Sequence, residues 1–334
     1  MWIDRQRFPA WSFYLAAYLY MALVLHLVEW FNASLPWGTL SAVQLYNAIW
    51  FPWVLGIIHH LDHVATDSVQ RFAPLLGDRA EIVDSLRYRM TTLPARSTRA
   101  LYLAVLTVIV VAGIANPSAV VVIMPEGPLH PVAQVLATFH AAVSYAMAPV
   151  LFVHAVRQLR LVSEAYALVP DVNLFDRRRL YAFSGLSMRT ALAFQAMVWV
   201  TYFGTALYEV STGEQTINVV LSIAFLPASI AIVLLPLMGI HRRLQDAKQA
   251  TLDEHAERVA AVRRKLYAAI EHDDLSQMKG YDEALESLNK LEERIKAVPT
   301  WPWATGAFRN FVSAISVPLV ILIVQTLLNR VLLR

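Results

Sequence analysis

Residues 281–298 read YDEALESLNKLEERIKAV, residues 299–306 read PTWPWATG, and residues 307–334 read AFRNFVSAISVPLVILIVQTLLNRVLLR. The first segment spaces its leucines at helical intervals among charged residues, which predicts an amphipathic helix. The second contains two prolines, which interrupt a helix. The third is apolar and exceeds the roughly 20 residues that cross a bilayer as a helix. The chain therefore ends with a joint between a water-exposed helix and a membrane-long one.

The composition of the whole chain predicts an integral membrane protein. Of its 334 residues, 57% are hydrophobic and 16% are charged, against about 25% charged residues in soluble domains. The chain has no cysteine, which excludes disulfides and thiolate metal sites. No glycine-rich phosphate loop is present. The first apolar run, Trp11 to Leu27, lacks a small-residue cleavage site, so we expect it to remain as a helix.

Seven apolar segments are candidates for transmembrane helices in an all-α, polytopic fold. They are Trp11–Phe31, Val43–Leu61, Ala100–Met124, Pro131–Val156, Arg189–Tyr208, Thr216–Ile240 and Ala307–Arg330. Lysine and arginine concentrate before the first segment and after the second, fourth and sixth, whereas loops 32–42, 117–130 and 209–215 have none. Because cytoplasmic loops carry this excess, the amino terminus is predicted inside and the carboxyl terminus outside. The alanine-, arginine-, leucine- and valine-rich composition favours a prokaryotic inner membrane.

The charged segments divide the chain into three parts. Residues 1–240 hold helices one to six and two cytoplasmic loops, 62–99 and 157–188, that are themselves expected to be helical. Residues 241–298 are predicted to form a cytoplasmic helical hairpin, in which helix six runs on before the chain turns and returns. Residues 299–334 form the hinge and transmembrane helix seven.

Two histidines near the cytoplasmic end of helix two have the spacing of metal ligands. His59 and His63 share one helix face, with Asp62 nearby. Membrane di-iron oxygenases carry several such histidine boxes, whereas this chain has one. We therefore favour histidines that bond lipid headgroups and neighbouring helices, and we expect no metal and no cofactor.

Ionisable residues also lie inside the predicted spans. His26 and Glu29 belong to helix one, and His140 and His154 to helix four. Such groups are costly in a membrane and often mark ion paths or ligand pockets, and two facing histidines could also hold a haem. Glu29 is expected to reach water at the outer end and His154 to lie at the inner end. The favoured interpretation is a buried polar contact between helices.

An acidic and basic cluster follows helix four in the cytoplasmic loop. Asp171 and Asp176 precede three consecutive arginines, Arg177, Arg178 and Arg179. This cluster could bind phosphate or anionic lipid. Local salt bridges and the charge bias of cytoplasmic loops account for it as well, and we favour them.

Helix seven carries a narrow stripe of small and polar residues. At 100° per residue, six side chains fall within about a third of its circumference. They are Asn310, Ala314, Pro318, Ile321, Gln325 and Asn329. Such a stripe should face another helix or water rather than lipid. If several copies of helix seven surround a symmetry axis, the stripe would line a pore that Ile321 or Leu322 closes by dewetting. The alternative is that Gln325 and Asn329 bond to a helix of the same subunit.

The layout resembles the insect odorant and gustatory receptor superfamily of seven-helix ion channels. The topology is similar, and the last helix keeps five apolar residues, Val320 to Val324, before Gln325, as in the gustatory receptor signature. The residues at the signature's Thr, Tyr and Phe positions are Pro318, Leu319 and Thr326. The resemblance implies a homotetramer held by a cytoplasmic anchor region, a cation pore lined by helix seven, Gln325 as a pore or gate residue, and a ligand pocket among helices two to six.

These observations predict an oligomeric cation channel, gated by an unidentified small ligand, rather than an enzyme, because no nucleophile–base set stands out. Its expected partners are membrane lipid, copies of itself and the permeating ions, and not nucleic acid. One alternative is a non-conducting sensor or scaffold that binds a partner through the hairpin. A secondary transporter ranks third, because no paired half-repeat is visible.

Overall fold

The computed structural model describes residues 3–115, 130–170, 172–204, 226–272, 278–303 and 306–316, together with residues 320 and 324. Helices account for every regular element in these ranges, and no strand occurs in them, which confirms the all-α prediction. In chain order the helices are α1 Ala10–Phe31, α2 Ala42–Phe72, α3 Ala80–Thr91, α4 Ala95–Ala115, α5 Pro131–Tyr145, α6 Met147–Ala167, α7 Arg177–Leu180, α8 Ser184–Gly204, α9 226–234, α10 Met238–Glu271, α11 Met278–Lys296 and α12 306–316. Short 3-10 turns occur at Ile3–Arg5, Ala73–Leu76 and Leu235–Leu237.

Four helical segments of the described chain are long and apolar enough to cross a membrane. They are Ala10–Phe31, Ala80–Ala112, Pro131–Ala167 and Leu226–Glu271. Large apolar side chains remain exposed along them, among them Leu103, Val108 and Val111 on α4. Water would disfavour such a surface, whereas lipid covers it without cost. These segments indicate a membrane protein; seven spans and their orientation stay predictions.

Prolines lie where the long helices are interrupted. The predicted fourth span, Pro131–Val156, is divided at Ala146 into α5 and α6, because Pro149 has no N–H to donate to the carbonyl four residues before it. The predicted continuation of helix six into the hairpin is likewise interrupted by a 3-10 turn that contains Pro236. Each of these two predicted helices is therefore a pair of shorter helices, α5 with α6 and α9 with α10, separated by a break.

The main hydrophobic core lies toward the predicted cytoplasmic side. Three aromatic side chains from distant parts of the chain meet there: the rings of Phe72 and Phe183 lie 4.9 Å apart and those of Phe72 and Tyr166 lie 5.5 Å apart, centroid to centroid. The Tyr166 hydroxyl donates to the Leu180 carbonyl at 2.7 Å. The end of α2, the end of α6 and the start of α8 are thus held as one unit.

The predicted hairpin is formed by α10 and α11, which pack against each other. Ile295 and Val298 are buried, whereas Leu291, which was expected on the same apolar face, is 39% exposed. Lys248 of α10 donates to the carbonyls of Lys296 and Val298 at 2.6 and 2.9 Å. Because the last carbonyls of a helix lack partners within it, this ammonium group ties the end of α11 to α10.

Candidate functional site

An aromatic stack crosses the joint between the hairpin and helix seven. The His241 ring, at the start of α10, stacks on Trp301 with centroids 3.9 Å apart and planes 9° from parallel. Trp301 stacks on Trp303 at 4.6 Å, and Trp303 stacks on Phe308 of α12 at 4.8 Å. Four rings therefore connect the first turn of α10 to the first turn of α12.

The joint is also held from the side by the loop after α6. The Tyr181 hydroxyl donates to the Pro299 carbonyl at 3.4 Å. Burial raises the pKa of Tyr181, so the hydroxyl keeps the proton that it donates. Arg243 of α10 donates to the carbonyls of Tyr166 and Val169 at 2.7 and 2.6 Å. The hinge, the end of α6 and the start of the hairpin thus share one network of contacts.

The described turns of helix seven bury their apolar side within the subunit. Phe311 and Ile315 are buried against Met188 and Ala191 of α8 and Val233 of α9. The exposed residues of α12 lie mainly on the opposite side and are polar or small except for Val312: they are Gly306, Arg309, Asn310, Val312, Ser313 and Ala314. Farther along the chain, Val320 and Val324 are exposed as well.

The predicted pore and gate residues lie beyond this segment. Pro318, Ile321, Leu322, Gln325 and Asn329 are outside the described residues. Asn310 and Ala314 are the members of the predicted stripe that the structure describes, and both are exposed. The structure places them on the side away from α8 and α9.

The polar residues near the carboxyl end of α1 bond to α2 and to the turn before it. Glu29 is only 7% exposed, so the expectation that it reaches water was wrong; its Oε1 accepts from Gln44 Nε2 at 2.9 Å. His26 Nε2 accepts from the Ser41 backbone N–H at 3.0 Å, and Nδ1 donates to the Ala22 carbonyl at 2.7 Å. Both ring nitrogens of His26 are thereby engaged, which disfavours a haem ligand and supports a polar contact between helices.

His140 forms a separate contact between α1 and α5. Its Nε2 lies 3.2 Å from the Tyr20 hydroxyl, and its Nδ1 donates to the Leu136 carbonyl at 2.8 Å. A cavity of about 10 Å³ lies beside it, lined by Asn47, Ser144 and Tyr145 among others. One water molecule needs roughly 10–15 Å³, so this cavity has the size of a hydration site.

The two histidines on the face of α2 meet a carboxylate, but not the expected one. His59 Nε2 lies 2.6 Å from Asp4 Oδ1, His63 Nε2 lies 3.1 Å from the same oxygen, and the two Nε2 atoms are 2.9 Å apart. On its far side, His59 Nδ1 lies 2.5 Å from the Tyr14 hydroxyl. Burial acts to raise the pKa of Asp4, but hydrogen bonds, including those from both histidines, and the charge of His59 outweigh it and hold that pKa well below its usual value.

Asp62 instead faces α6. Its Oδ1 accepts from His154 Nε2 at 2.7 Å and from Gln158 Nε2 at 3.2 Å, and the same Gln158 amide also donates to the Met90 carbonyl at 3.0 Å. Because the Gln158 amide nitrogen can only donate, Oδ1 is the acceptor in this group and His154 Nε2 is its second donor. The three side chains are buried and join α2, α3 and α6.

The acidic and basic cluster after α6 contains a local ion pair. Arg179 Nη1 lies 3.0 Å from Asp176 Oδ2, within one turn of chain, while Asp171 lies outside the described residues. This contact agrees with the salt bridges that the sequence favoured there.

Comparisons of the chain with protein-family models, with curated proteins and with solved structures found no match. The geometry above therefore has to carry any functional argument. Sequence reasoning missed three partners: Asp4 for the histidine pair, Gln44 for Glu29, and His241 for the aromatic joint. Only the tryptophans of PTWPWATG signalled an interfacial cluster, since the other contacts join residues far apart in the sequence.

Proposed function

We propose that this protein is an oligomeric cation channel in which helix seven lines the permeation path. The observation that carries the proposal is the orientation of α12. A single membrane helix in lipid would turn its apolar side outward. Here the side with Phe311 and Ile315 packs inward, and the side with Arg309, Asn310 and Ser313 is left open, with the exposed Val312 at its edge.

A polar stripe left open in a membrane needs a partner, because unsatisfied polar groups are costly in hydrocarbon. Copies of the same stripe around an axis, with water between them, would satisfy this requirement. At 100° per residue, Gln325 lies about 60° from Asn310, and its amide would contact hydrated ions. Asn329, 18 residues after Phe311, lies at the other edge of the predicted stripe, in the direction of that buried side chain. The resemblance to tetrameric seven-helix channels supports the same arrangement.

The aromatic joint supplies a route for gating under this proposal. His241 belongs to the hairpin and Phe308 to helix seven, and the stacked rings of Trp301 and Trp303 lie between them. A change in the hairpin, caused by a ligand or by a neighbouring subunit, would be passed to α12 through these rings. The gate itself would be formed by Ile321 or Leu322.

Cation flux into liposomes tests this proposal. Purified protein should release a trapped monovalent cation, and Gln325→Leu should change the rate. Gln249→Leu is the matched control, because Gln249 is an exposed amide on the hairpin that bonds only to Asp253 among the described residues. If the oligomer is intact and flux stays at the level of empty liposomes, the channel proposal is wrong.

Subunit arrangement is a second and independent test. Because the chain has no cysteine, Ser313→Cys would introduce its only thiol. Bismaleimide cross-linkers of increasing length should join Ser313→Cys subunits, but not subunits carrying Val108→Cys on the exposed apolar side of α4. Cross-linking at residue 108 and not at residue 313 would place α12 away from any central axis.

The second candidate is a non-conducting sensor or scaffold. It is favoured by the exposed apolar side chains of Tyr267 and Ile270 near the tip of the hairpin, which would fit a protein partner. Absence of flux together with a loss of partner binding on Tyr267→Ser would favour this function.

A further inference from the structure

We propose that Asp4, His59 and His63 bind a divalent transition-metal ion where the amino-terminal turn meets α2. The site is distinct from helix seven and does not depend on the channel proposal. It joins a residue near the start of the chain to two residues of α2, so a bound ion would fasten the Ile3–Arg5 turn to the middle of α2, where the predicted second span ends.

The three candidate ligand atoms form a triangle of the right size. Asp4 Oδ1, His59 Nε2 and His63 Nε2 are separated by 2.6, 2.9 and 3.1 Å. Metal–ligand bonds of about 2.0–2.1 Å place neighbouring ligands roughly 2.9 Å apart at right angles and about 3.3 Å apart in a tetrahedron. Small side-chain movements would therefore admit an ion above the triangle.

The chemistry of this triangle favours a particular class of ion. Two imidazoles and one carboxylate suit Zn²⁺, Fe²⁺, Co²⁺ and Ni²⁺, whereas Ca²⁺ and Mg²⁺ prefer sites built from oxygen alone. Three protein ligands leave at least one position for water or another ligand. That position is reachable, because the His63 side chain is 60% exposed while the His59 side chain is 8% exposed.

Tyr14 provides the outer contact that metal-bound histidines usually have. When Nε2 binds a metal, Nδ1 carries the proton and donates to a fixed acceptor, which sets the ring orientation. His59 Nδ1 lies 2.5 Å from the Tyr14 hydroxyl, so this acceptor is in place. A histidine that only bonded a lipid headgroup would not need its second nitrogen fixed by a neighbouring helix.

Calorimetric titration with Zn²⁺ tests the site. The full chain, carrying a histidine-free carboxyl-terminal affinity tag and stripped with a chelator, should bind one Zn²⁺. His63→Ala and Asp4→Asn should each weaken binding by more than the roughly 10–100-fold that loss of an outer contact produces, and Tyr14→Phe should weaken it within that range. His60→Ala, which removes the exposed histidine between the two ligands and outside the triangle, should bind like the parent protein.

A second readout separates ligation from misfolding. Co²⁺ bound by this triangle should give a visible absorption band, and that band should be lost in His63→Ala while the variant keeps the parent's elution profile. A parent protein that binds Zn²⁺ no better than the Asp4→Asn/His63→Ala double variant overturns the proposal. So does a parent whose binding is lost equally in His60→Ala.

Discussion

Replacing His154 by leucine would test the buried polar contact that joins α2 to α6. His154 donates to Asp62 Oδ1 at 2.7 Å, and the two side chains are 2% and 7% exposed. Leucine is of similar size, so it fills much of the space without offering a donor. Among the described residues, the carboxylate would then keep Gln158, at 3.2 Å, as its one side-chain donor.

The expected cost follows from this geometry. A hydrogen bond contributes about 0.5–1.5 kcal/mol net, and a buried acceptor that loses a partner costs about 1–3 kcal/mol in addition. Solvent weakens the interaction between the two side chains little, because both are buried. The hydrogen bond from Gln158 to Asp62 Oδ1 remains in the variant and limits the loss. We therefore expect His154→Leu to lower the free energy of unfolding by about 3 kcal/mol.

Unfolding by SDS in mixed micelles, followed by far-ultraviolet circular dichroism, measures this change. The matched control is Arg258→Gln, which breaks an ion pair whose two side chains are each 63% exposed. Such surface pairs contribute about 0–1 kcal/mol. The double variant His154→Leu/Asp62→Leu should lose less than the sum of its two single variants, because neither half of the pair is left alone in the core.

Two results would refute this reasoning. If His154→Leu costs no more than Arg258→Gln, then the pair is not buried as described. If the losses of the two single variants add fully in the double variant, then His154 and Asp62 stabilise the fold independently and the hydrogen bond between them is not the cause.

Three further predictions concern other parts of the molecule. Trp301→Ala removes two stacked contacts of about 0.5–1.5 kcal/mol each, so hydrogen exchange at the hinge amides should become faster while that of α2 stays unchanged; unchanged hinge exchange would contradict the stack. Gly204→Ala would put a Cβ in collision with the Tyr46 ring, so overpacking should cost about 1–3 kcal/mol of unfolding free energy. In the Tyr46→Ala background the same substitution should cost less. The hydrogen bond and charge of Lys296 lower the pKa of Glu292 from its usual 4.5, against a smaller opposing effect of burial. The stabilisation of the hairpin by this ion pair is therefore present above pH 4.5 and is lost as the pH falls through the lowered pKa. Glu292→Gln should show a small loss of hairpin stability at pH 7 and none in strong acid, and an equal loss at both pH values would refute the assignment.

Apolar periodicity was sufficient to predict the helix before the joint, whereas proline placement did not predict every break in the long helices. The spacing of apolar residues in 281–298 predicts α11, and the structure has it at Met278–Lys296. Apolar periodicity depends on residues within one or two helical turns of each other, and these can be read directly from the sequence. The breaks at Ala146 and Leu235–Leu237 were missed although Pro149 and Pro236 were visible, because membrane helices often tolerate proline.

What the sequence by itself determined is a helical, lipid-compatible chain whose charged hairpin meets its last apolar segment at a proline-rich joint. What only the tertiary structure decided is which distant groups meet. Asp62 is three residues from His59, yet Asp4, 55 positions away, contacts that histidine, and Asp62 bonds His154, 92 positions away. The physical reason is that helical periodicity determines the direction in which a side chain leaves its own helix, while its partner depends on how separate helices pack.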